Sequence, residues 1–164
     1  MPLPLVLAPI MLSLWPWRHA PALVVERHRL GAWTVETRDD RFAGRRTCRV
    51  TAPGLTYERG ALVVRLGRRT DTADAVYRVD DGPPVAVRSE LMDMARRGFA
   101  IDQDDLANPS GGVVRIPEAR LSQARRISIR AGVNRTIVRV GVTGFAAALD
   151  SAHAAGCAPG DFTG

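Results

Sequence analysis

Past Gly31 the chain lays down short runs of alternating apolar and polar residues. Each run is broken by glycine, proline or paired aspartate before the next begins. Connections this short join antiparallel neighbours, because a parallel crossover needs about a dozen residues or more. That spacing excludes a doubly wound α/β fold and predicts a meander of strands.

The runs themselves give the faces. Residues 32–37 alternate, and residues 47–51 place Cys48 and Val50 on one side before Pro53-Gly54 stops the strand. Residues 61–67 turn Leu62, Val64 and Leu66 inward and Arg65 outward, and residues 75–80 set Tyr77 and Val79 opposite Arg78 and Asp80. Asp81-Gly82-Pro83-Pro84 is a turn, after which residues 85–87 run extended. Residues 113–116 form a strand closed by Pro117. Residues 126–132 and 135–142 form a hairpin in which Ile127 and Ile129 oppose Ser128 and Arg130.

Helical spacing is confined to three places. Residues 90–97 carry Leu91 and Met94 on one face, and Pro117 opens a short turn through Leu121. Residues 144–155 place Phe145, Ala148, Leu149 and Ala152 at i, i+3, i+4 and i+7, with Thr143 as the expected N-cap and Gly156 as the terminator. Residues 158–164 are expected to fray. The prediction is α+β: a mostly antiparallel sheet, sandwich- or barrel-like, with short helices and a C-terminal helix packed on it.

At 164 residues the chain is one domain with an appendage. The appendage is residues 1–22. Residues 2–17 are the strongly apolar run, followed by Arg18, His19 and the small-x-small triplet Ala20-Pro21-Ala22. The run is shorter than the ~20 residues that span a bilayer. It reads as a signal peptide, leaving residues 23–164 as a single small β-rich domain in a periplasmic or secreted location. Cys48 and Cys157 lie near the two ends of that domain, and an exported chain makes them an expected disulfide. Two cysteines cannot complete a zinc site here, because His28 and His153 have no ligand spacing to them.

The order of these features resembles a known family. Trp33-Thr34-Val35, the strand around Cys48, residues 77–82, residues 116–126, and Val142-Thr143-Gly144-Phe145 before a last cysteine are similar to the invasion-associated locus B proteins, small exported bacterial proteins. The resemblance spans residues 32–157. It implies an envelope location and a β-rich domain, and it brings no catalytic residues.

Composition removes much chemistry. All 23 basic residues are arginine, so every reaction that needs a lysine amine is excluded. No nucleophile elbow is present; Ser110 lies in a Gly-rich turn, and a hydrolase assembled from it with His28 or His153 and an aspartate is an alternative reading. Asp102-Gln103-Asp104-Asp105 begins like a calcium loop, but Ala107 and Val113 stand where its glycine and glutamate belong. No metal or cofactor is expected, and no enzyme activity.

Binding is the expected mode of action. The candidates are four doublets, Arg45-Arg46, Arg68-Arg69, Arg96-Arg97 and Arg125-Arg126, whose guanidinium groups suit phosphate or carboxylate. The partner would be an envelope protein or an anionic surface. Nucleic acid is disfavoured, because the net charge of +6 is interleaved with acidic residues and only nine aromatics are available for stacking.

Overall fold

The alternating runs pair as expected, into two open antiparallel sheets instead of a closed barrel. The computed structural model describes residues 22–67, 70–99, 101 and 111–163. The signal-peptide reading of residues 1–22 therefore lies outside it except at Ala22, as do Arg68, Arg69, Ser110 and the acidic run from Asp102 to Asp105.

The larger sheet has six strands in the order β1 (Leu23–Leu30), β2 (Trp33–Asp40), β3 (Arg45–Ala52), β4 (Leu55–Glu58), β5 (Ala61–Arg65) and β8 (Val113–Pro117). The smaller has four, in the order β10 (Thr136–Gly141), β9 (Arg126–Ala131), β6 (Val76–Val79) and β7 (Val85–Ala86). Trp33, Val35, Val50, Tyr57, Leu62 and Ile116 of the large sheet share one buried cluster with Tyr77, Ile127 and Ile129 of the small one. Period-2 alternation produces this in β3, β6 and β9, which give one face to the common core, while β5 and β8 are buried on both faces.

Two helices complete the core. α1 (Val87–Arg96) follows β7 directly and buries Leu91 and Met94, as its spacing predicts. α2 (Phe145–Ala154) buries Phe145, Ala148, Leu149 and Ala152, the predicted face, against β2 and β3. Its start differs from expectation. The N-cap is Gly144 in the left-handed region (φ 84°), and Thr143 gives its carbonyl to Trp33 Nε1 at 3.0 Å. With that carbonyl held by Trp33, the chain turns into the helix one residue later, at a glycine.

The end of α2 is fastened twice. Arg46 Nη1 donates to the Ala155 carbonyl at 2.9 Å, a cation on an orphan acceptor at a helix C-terminus. Cys157, just beyond Gly156, is joined to Cys48 on β3 by the expected disulfide, with the Cα atoms 6.1 Å apart. Residues 158–163 are not frayed. Phe162 is 2% exposed and packs edge-on against Tyr57, and the Thr163 amide donates to the Cys48 carbonyl. A buried ring beside the disulfide docks the segment. β1 and β4 are strands that the sequence pattern did not reveal.

A candidate anion-binding face

β9 carries the site. Its inward residues Ile127, Ile129 and Ala131 are buried, so Arg126, Ser128 and Arg130 point outward. Register then brings in the neighbours. Arg78 on β6 and Arg139 on β10 both lie directly opposite Ser128. Opposed residues share a face with Cβ atoms about 5 Å apart, and residues two apart on one strand lie about 7 Å apart. Ser128 is thus the centre of a cross of four arginines, two along β9 and one on each flanking strand. Ile137, opposite Arg130 on β10, is 53% exposed and adds an apolar rim. The groove over this face measures about 460 Å³.

Its electrostatics are one-sided. Arg126 is paired with Asp81 at 3.6 Å. Asp80 is occupied by the backbone amides of Arg125 and Arg126, at 3.1 and 2.9 Å. Arg78, Arg130 and Arg139 have no carboxylate within ion-pair distance among the described residues. Guanidinium is a planar cation that presents five N–H donors and no acceptor. Three fixed forks on one flat face offer bidentate hydrogen bonds to phosphate, sulfate or carboxylate. Ser128 adds one hydroxyl, with no histidine or carboxylate bonded to it among the described residues.

Elsewhere arginines serve carboxylates. Glu90 on α1 is 2% exposed and accepts from Arg120 Nη2 at 2.7 Å, Tyr77 Oη at 3.1 Å and Arg97 Nη2 at 3.3 Å. Burial first, and then the Glu90 charge, hold the Tyr77 hydroxyl well above the ordinary tyrosine range. Its hydrogen bond to Glu90 raises Arg120 further. Burial and the 2.5 Å bond to Glu118 push Tyr57 up in the same way. Glu36 on β2 is held below the usual carboxylate range by hydrogen bonds from Arg27 and Arg38, which outweigh its desolvation. Arg115 and Glu58, both largely buried, pair at 2.8 Å.

The doublets do not converge. Arg45 and Arg46 begin β3; Arg45 is exposed and Arg46 caps α2. Arg96 and Arg97 end α1, on Asp93 and Glu90 respectively. Arg126 opens β9 with Arg125 just before it, and of the six doublet arginines among the described residues only Arg126 belongs to the cross, Arg68 and Arg69 lying outside them. Adjacent strand residues point to opposite faces, so a doublet splays where single arginines on neighbouring strands meet. The signal that finds the site is an arginine at alternate positions of three strands, read together with their register. His28 on β1 and His153 on α2 are both exposed. No group of three or more potential metal ligands occurs among the described residues. No helix there is long and apolar enough to cross a membrane. No protein-family model, no curated protein and no solved structure matches the chain.

Proposed function

We propose that this chain is an exported binding domain of the bacterial envelope, periplasmic or secreted, that holds an anionic group on the outer face of its small sheet. The observation that carries this is the trio Arg78, Arg130 and Arg139, three cations on one face with no described carboxylate within ion-pair distance, although Asp80 and Asp81 line the same groove. Export is supported by the Cys48–Cys157 disulfide, since reducing compartments keep such thiols open. The apolar run at residues 2–17, which ends just before β1, and the resemblance to invasion-associated locus B proteins point the same way. The chemistry is recognition without bond making.

Retention on phosphocellulose tests the face. The disulfide-bonded protein is expected to bind, with affinity falling steeply as salt rises. Replacing Arg78, Arg130 and Arg139 together by glutamine is expected to flatten that salt slope by about two to three, close to one for each guanidinium removed. Elution of the parent no later than the triple variant would overturn the reading.

A further inference from the structure

A second exposed feature lies at the far edge of the large sheet. The loop joining β2 and β3 carries Phe42 at its tip, 93% exposed. An exposed phenylalanine on a floppy loop would mean little. This loop is held: Asp40 Oδ1 accepts from the amides of both Phe42 (3.0 Å) and Ala43 (2.9 Å), so the ring is presented outward. Arg41 and Arg45 flank it, both exposed and without a described ion-pair partner. Asp39, the other nearby acid, is committed to Arg46 at 3.5 Å.

β1 extends the apolar tip. Leu23 and Val25, 53% and 44% exposed, share one face of that strand, and Leu23 lies opposite Asp40. The Arg41 amide donates to the Ala22 carbonyl at 2.8 Å, which ties the residue before β1 to this loop. An exposed ring, two exposed aliphatic side chains and flanking arginines are the components of an interfacial anchor: the apolar part enters the headgroup boundary while the cations meet anionic lipid.

We propose that the β2–β3 tip docks on an anionic lipid bilayer, with Phe42 inserted and Arg41 and Arg45 at the headgroups. A second copy of this chain is the competing occupant. Antiparallel two-fold pairing of β1 edges opposes it, because the registers centred on the strand set Glu26 against Glu26 or Arg27 against Arg27.

Vesicles of phosphatidylcholine, with and without phosphatidylglycerol and carrying brominated acyl chains, test this on the full chain. In Phe42→Trp, the emission added over the parent protein is expected to shift to shorter wavelength and be quenched several-fold by the anionic vesicles only. Leu30→Trp, an exposed position at the opposite end of β1, is expected to stay unquenched and controls for nonspecific adsorption. Arg41→Gln with Arg45→Gln should weaken the binding read by Phe42→Trp by about fivefold per arginine. Quenching at position 42 no greater than at 30 would overturn the proposal. So would a blue shift that grows with protein concentration in the absence of lipid, since a second copy would then cover the tip. Neither result touches the phosphocellulose reading, which concerns the other sheet.

Discussion

The two sheets treat charge in opposite ways. On the large sheet and the elements packed beside it, the least exposed carboxylates each draw arginines: Arg27 and Arg38 on Glu36, Arg115 on Glu58, Arg97 and Arg120 on Glu90. On the outer face of the small sheet three arginines stand together with no such partner among the described residues. The first arrangement holds the fold together. The second is the face on which the proposed anion would sit. Arginine count alone does not locate that face, and ion pairing read with strand register does.

The contrast can be broken most strongly at the disulfide that staples the large sheet to α2. Cys48→Ser with Cys157→Ser reopens a loop of 109 residues. The chain-entropy model gives a loss of about 4–5 kcal/mol, to be read from the urea midpoint at matched m-values. Phosphocellulose binding by the molecules still folded is expected to be unchanged.

Next in size is Glu90→Leu, which leaves Tyr77 without its acceptor and two guanidinium groups without their anion. Breaking a buried pair costs about 3–5 kcal/mol, and the partial exposure of Arg97 and Arg120 places the expected loss near the lower figure. A loss within about 0.5 kcal/mol would show that this carboxylate is not a structural anchor.

Glu36 gives a pH test. Its folded pKa lies below that of a free glutamate, which titrates near about 4.3. The stability it contributes is complete above that unfolded value and is lost as pH falls through the lower folded one. Parent and Glu36→Gln stability curves should therefore converge on acidification below about pH 4, and a constant offset across that range would contradict the clamp. The smallest expected effect is on the other side of the comparison. Arg78→Gln, Arg130→Gln and Arg139→Gln together should change stability by no more than about 0.5 kcal/mol, or raise it slightly, while weakening retention on phosphocellulose.

Much of this organisation is legible in the residues. The alternation in β3 and β9 and the i, i+3, i+4, i+7 face of α2 appear in the structure as read, because burial on one side is what those periods encode; β5 departs from it, since Ala61 and Val63 are buried as well as Leu62 and Val64. β1 escapes because it is an edge strand whose eight residues are exposed apart from half-buried Val24, so no apolar period is imposed on it. β4 escapes because its four residues are too short a window between Gly54 and Gly60. The C-terminal tail docks through one ring, Phe162, and a single ring leaves no pattern. The proposed binding face is hidden for a different reason. Arg78, Arg130 and Arg139 are far apart in the chain, and only strand register makes them neighbours.

The bridge between Cys48 and Cys157 also orders events in time. A chain made or delivered from its N-terminus presents the first thiol early and the second only after α2 has followed. Closure must therefore wait until nearly the whole domain is available, and it cannot guide the first strands into place. With two cysteines there is also only one intramolecular bridge to make, so oxidation cannot trap a wrongly connected isomer. An oxidant suffices to finish this domain, and a disulfide isomerase has nothing within it to correct.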